Sequence, residues 1–141
     1  MTKYIKNAAM AALLAAAGLA QAQVAVIVNP KSPNASMTAD QVASVYLGKS
    51  NSLPNGAAAA AVDQPESAAI REQFYSKVTG KQAAQVKAAW SRLVFSGKGT
   101  PPKELASTAD IKKYVAATPD AIAYIEKSAV DASVKVVLSV E

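Results

Sequence analysis

Cysteine and histidine are both absent from the 141 residues. Without cysteine there can be no disulfide, no thiol nucleophile and no lipid-anchoring thiol. Without histidine the commonest general base and the commonest transition-metal ligand are missing too. Paired carboxylates or a Ser-Lys arrangement remain open to a catalyst, but the balance moves from enzyme to binding protein, with no cofactor and no metal expected. No block of five or more like charges occurs, which argues against a nucleic-acid arm or a polybasic membrane patch. Beyond the N-terminal segment no apolar run approaches the roughly 20 residues that span a bilayer.

The N-terminal segment reads as a secretory signal. Lys3 and Lys6 precede an uncharged run from Asn7 to Leu19 built mainly of Ala, Leu, Met and Gly, and Ala20-Gln21-Ala22 follows. A basic region, an apolar region too short to span a membrane, and a small-residue cleavage site stand in the order a signal peptidase requires. Residues 1–22 are therefore expected to be removed, leaving a periplasmic domain of residues 23–141 that begins at Gln23. That domain carries thirteen basic and ten acidic residues, a charge of +3, and its length fits one domain stabilised by its core alone.

Local patterning predicts alternating strands and helices. Val24–Val28 (VAVIV) is a β-branched run ended by Asn29-Pro30, as for a strand buried on both faces. Thr38-Ala39-Asp40-Gln41 forms a capping box ahead of an apolar stripe that stops at Gly48. Ala57–Val62 reads as a second strand. Asp63-Gln64-Pro65-Glu66 then looks like a helix start, with Asp63 as cap, and Ile70, Phe74 and Val78 form one face of a helix to about Val78. A third helix, about Gln82 to Phe95, turns Val86, Trp90, Leu93 and Val94 inward. Gly97–Lys103 is a basic turn. Ser107 caps a fourth helix that Pro119 ends, and Ala121–Ile125 and Ser133–Val140 read as strands. The predicted class is α/β, a mixed sheet flanked by helices in the order βαβαααββ.

Two places could meet a ligand. In the strand-to-helix junction Asp63–Arg71, backbone N–H groups, the Ser67 hydroxyl and Arg71 one turn later could hold an anion. The same residues also fit an ordinary helix start whose Arg71 pairs with Glu66 or Asp63. In the loop Gly97–Lys103, Lys98 and Lys103 could meet an acidic partner or simply stand in solvent. Gly97-Lys98-Gly99-Thr100 is not a P-loop, because the glycine spacing ahead of it is missing.

Several ordered segments carry a family resemblance: Asn29-Pro30, Met37–Lys49 (MTADQVASVYLGK), Arg71-Glu72-Gln73-Phe74, and Thr118–Ile125 (TPDAIAYI). In this order they resemble the phosphate-binding proteins of ABC transporters, and Trp90–Leu105 is similar to a segment of their short, single-domain relatives. The resemblance implies a single lobe of the periplasmic-binding-protein type, where the usual receptor has two. It also implies a periplasmic solute-binding protein, not an enzyme, that takes phosphate or another small oxyanion at Ser67 and Arg71, with Ala68 and Ala69 on the same loop. Ala68-Ala69-Ile70 stand where the family has Ser-Gly-Thr, and Ala123 replaces a family glycine. Two ligand donors are thereby absent, each worth about 0.5–3 kcal/mol. The alternative is a ligand-free lobe that acts as a protein interaction module in the cell envelope. Pairing of two copies could complete a cleft.

Overall fold

Every side chain of Val24–Val28 is fully withdrawn from water, which requires a strand in the middle of a sheet with both faces covered. The computed structural model describes residues 23–141; the expected signal segment, residues 1–22, lies outside them. The described elements follow as β1 (Val24–Val28), α1 (Ala39–Tyr46), β2 (Ala60–Asp63), α2 (Ala69–Phe74), α3 (Ala83–Phe95), β3 (Lys103–Glu104), α4 (Thr108–Ala117), β4 (Ala121–Glu126) and β5 (Lys135–Val140). The predicted order holds, with the short strand β3 added inside what reads as a turn.

The sheet runs β3-β2-β4-β1-β5. Strand β2 is parallel to β3 and β4, while β1 is antiparallel to β4 and β5. Alternation along β1 divides the core in two. Val24, Val26 and Val28 face Tyr46, Phe74, Tyr75 and Val86. Ala25 and Ile27 face Ile111 and Val115 of α4. The result is a sheet with helices on both faces.

The turns explain several sequence signals. Thr38 and Gln41 form the predicted capping box, with bonds of 3.1 and 2.9 Å. Gly48, beyond α1, has φ +76°, and a Cβ there would lie 2.7 Å from Leu93 Cδ1 and 3.1 Å from Trp90 Cη2. Both the backbone conformation and the close approach require glycine. Asn29 donates through Nδ2 to the carbonyls of Val115 and Ala116 at 2.9 and 3.0 Å. It thus adds a donor to the last carbonyls of α4, and ties that helix to the end of β1.

Two expectations need correction. Asp63 does not cap a helix. It is the last residue of β2, and α2 begins at Ala69, with Ala68 as an N-cap that offers no side-chain bond. The Asp63 carboxylate is turned into the core instead, where two tyrosine hydroxyls receive it. After Phe74 the helix widens into a π-turn, Tyr75–Thr79, that ends at Gly80. In α3, Val94 is not buried but 49% exposed. At 3.6 residues per turn it stands about 80° round the axis from Val86, past the edge of the covered stripe.

Candidate functional site

The carboxyl ends of β2 and β3 meet at Asp63 and Glu104, and in α/β sheets ligands gather at such ends. Asp63 is buried. Its Oδ1 accepts the Tyr124 hydroxyl and, at 2.8 Å, the Gln64 N–H; its Oδ2 accepts the Tyr75 hydroxyl. Gln64 is fixed as well, since its Nε2 donates to the Tyr124 carbonyl at 2.9 Å. Tyr46 donates to the carbonyls of Val62 and Ile122 at 2.7 and 3.1 Å. Phe74 and Tyr124 stack with centroids 3.9 Å apart and planes 3° from parallel. Burial, followed by the nearby Asp63 charge, raises the pKa of Tyr46, Tyr75 and Tyr124 above the ordinary 10.0, so all three remain hydroxyl donors.

Arg71 lies against this cluster with a side chain only 9% exposed. Nη1 donates to the Gln64 carbonyl at 2.9 Å. The guanidinium stands 3.9 Å from Asp63 Oδ2 and 3.9 Å from Glu104 Oε2, and its carbon lies 5.9 Å from the centre of the Tyr75 ring. Both carboxylate separations exceed a hydrogen bond. Nε is buried and has no hydrogen-bond partner. An orphaned donor on a buried cation calls for an explanation, because such groups are costly and rare.

Arg71 opens onto a cleft of ≈ 430 Å³. Lys87 and Glu66 pair at its mouth, and the lysine hydrogen bond holds the Glu66 pKa below its ordinary value. A second small cleft, ≈ 350 Å³, also reaches Arg71 and is lined by Glu72, Ala83 and Ala84. A third, ≈ 790 Å³, lies beside the loop after α3 and includes Lys49, Lys98 and Lys103. The ammonium of Lys103 sits 4.8 Å from the centre of the Tyr114 ring, a cation–π geometry.

Of the residues expected to bind an anion, Arg71 alone lines the first two clefts. Ser67 is exposed on the turn before α2, with Ala68 at its N-cap and Ala69 in its first position. The expected pairing of Arg71 with Asp63 is present at 3.9 Å, whereas Glu66 pairs with Lys87 instead. Sequence reasoning missed Tyr75 and Glu104 as neighbours of Arg71, and the Tyr124 hydroxyl on Asp63. One signal was available: a tyrosine inside the apolar run Ala121–Ile125 needs a buried partner for its hydroxyl. Among the described residues no group of His, Cys, Asp and Glu could hold a metal ion, and no helix is long and apolar enough to cross a membrane.

No known family profile and no curated protein matches the chain. Solved structures do. A Clostridium perfringens protein described as a phosphate ABC transporter substrate-binding protein, with phosphate bound, aligns at TM-score 0.66 and 24% identity over 81% of this chain and 43% of that one. An ABC-type phosphate transport receptor from Vibrio cholerae aligns at TM-score 0.65 and 20% identity, covering 81% of this chain and 44% of its own. The chain has the fold of these proteins and spans less than half their length.

Proposed function

We propose that this chain is an extracytoplasmic solute-binding lobe that takes a small oxyanion, phosphate among the candidates, at the guanidinium of Arg71. The observation that carries the reading is the unpartnered Nε of Arg71, buried at the carboxyl ends of β2 and β3. A ligand oxygen there would accept the missing hydrogen bond, charge-assisted and screened from water. The shared fold with a phosphate-bound receptor supports the same ligand class. Ser67 on the adjoining turn, Ala68 at the N-cap and Ala69 at the start of α2 would serve as outer contacts, although the Ala68 N–H is already donated to the Pro65 carbonyl at 2.9 Å. Asp63 and Glu104 oppose the charge of Arg71, so the affinity for a bare dianion is weak. No step of bond making or breaking is involved.

Titration calorimetry with phosphate and with sulfate tests the reading. Wild type should bind at least one of them, and Arg71→Lys, which keeps a charge but removes Nε–H, should weaken binding roughly tenfold or more. An unchanged melting temperature of the variant is the control. If wild type binds neither anion at millimolar concentration, the receptor reading fails.

A second reading has its own support: Phe95 is 95% exposed on α3, a large apolar side chain left in water. A lobe that has lost its solute would then act by docking to an envelope protein. The two readings separate on thermal stability, since a solute at 100 times its Kd stabilises by about 2.7 kcal/mol and an interaction module gains nothing from it.

A further inference from the structure

Arg71 closes only the inner end of its cleft. Trp90, Val94 and Phe95 of α3 and Pro101 and Pro102 beyond it give the cleft an apolar lining, beside Ser91 and the Glu66–Lys87 pair. Val94 and Phe95 are the large apolar side chains that the described residues leave most exposed, at 49% and 95%. Adjacent apolar residues in water, beside a cleft that ends at a buried cation, are the composition of a site for an organic ligand. The volume agrees: ≈ 430 Å³ falls inside the range of about 300–1,000 Å³ in which clefts enclose organic molecules. A bare tetrahedral oxyanion would occupy the Arg71 end and leave the walls wet.

We infer that the solute is an oxyanion with an apolar body, such as an organic phosphonate, phosphate ester or carboxylate. Its head accepts from Arg71 and its body lies on Trp90, Val94, Phe95 and the two prolines. This rests on the oxyanion reading above and narrows it. The neighbouring carboxylates are compatible with a head of low charge. Asp63 is already engaged by two tyrosine hydroxyls and an N–H, and Glu66 by Lys87. Glu104 stands 3.9 Å from the guanidinium with its side chain 55% exposed, free to swing into solvent as the head enters.

Trp90 is the sole tryptophan of the sequence, so its emission reports directly on this wall. The purified protein is titrated with phenylphosphonate, inorganic phosphate and benzyl alcohol, by Trp90 fluorescence and by calorimetry. Phenylphosphonate should bind roughly tenfold tighter than phosphate or better, from burial of the ring, and should shift the emission. Phe95→Ser and Val94→Ser alter exposed positions and should cut that advantage to about twofold or less while leaving phosphate binding unchanged. Phosphate binding with no gain for phenylphosphonate overturns this inference and leaves the oxyanion reading standing. Benzyl alcohol binding as tightly as phenylphosphonate overturns it also, since the head would then contribute nothing. Binding of neither anion overturns both readings.

Discussion

The Tyr124 hydroxyl on β4 donates to the Asp63 carboxylate at the end of β2, joining residues 61 apart in sequence. The bond lies in the core beside Arg71, so it both ties β4 to the end of β2 and holds the buried one of the cation's two counter-charges. Tyr124→Phe keeps the stack on Phe74 and removes only the hydroxyl. It should cost about 1.5–3 kcal/mol, as for a hydrogen bond to a charged acceptor. Asp63→Ala should cost more, about 3–5 kcal/mol, because it strands a buried cation and two hydroxyls. Urea unfolding of the two variants measures both, and a Tyr124→Phe curve that overlays wild type would refute the assignment.

Stability should fall in alkali. Tyr46, Tyr75 and Tyr124 have folded pKa values above the ordinary 10.0, through burial first and the Asp63 charge second. In the unfolded chain they ionise near pH 10, while in the fold they keep their protons. The folded state then binds more protons, and its stability, fully present below about pH 10, declines above it by up to about 1.4 kcal/mol per pH unit for each tyrosine. Urea midpoints measured from about pH 9 to about pH 11 check the slope; a flat profile counts against three protected hydroxyls.

Gly48→Ala should destabilise by about 1–3 kcal/mol, combining a left-handed backbone with a methyl forced toward Leu93 and Trp90. The Trp90 indole N–H donates to the Tyr46 carbonyl at 2.7 Å, so the displacement should also change tryptophan emission in the folded state. Gly56, at φ +89° with nothing within 4 Å of a built Cβ, supplies the control. Gly56→Ala should show the backbone penalty without the spectral change.

Anion affinity should respond to Glu104 more than to Ser67. Glu104→Gln removes a carboxylate 3.9 Å from Arg71 Nη1 and should tighten phosphate binding by roughly three- to tenfold at low salt, with the gain shrinking as salt screens it. Ser67→Ala, at an exposed turn outside the cleft, should change affinity by about twofold at most. Calorimetry at two ionic strengths decides; a larger effect at Ser67 would move the anion out to the turn.

The fold was largely legible because its signals are local: β-branched runs, a capping box at Thr38 and an N-cap at Ser107, and glycines at helix ends. The capping bonds are present at 3.1 Å for both Thr38 and Ser107. The site was legible only in part. Arg71 is a rare residue at a strand-to-helix junction, and it does reach a cleft. Its surroundings come from residues far apart in the chain, and no local pattern reports a contact between Asp63 and Tyr124. Asp63 misled for a physical reason, since an aspartate ahead of Pro and Glu has the composition of a helix cap whether its carboxylate turns out or in. The two-residue strand β3 escaped because Lys103 and Glu104 are both exposed and polar, and their pairing with Val62 and Asp63 is decided by the sheet.

The position of β1 sets a timetable for folding. Its first residue, Val24, pairs with Glu126 on one side and Val140 on the other, so the strand made early has to wait for partners made late. Until residues 121–140 are available, the run VAVIV has both edges unpaired, five apolar residues open to any other strand it meets. Such distant pairing is slow to form, and a chain cut short before β4 would carry that strand with no native partner at all. Helices α1 to α4 could all form first and still leave the molecule without its centre, so the commitment to the native state waits for residues 121–140, and a holding chaperone that covers Val24–Val28 in the interval would raise the yield of soluble protein.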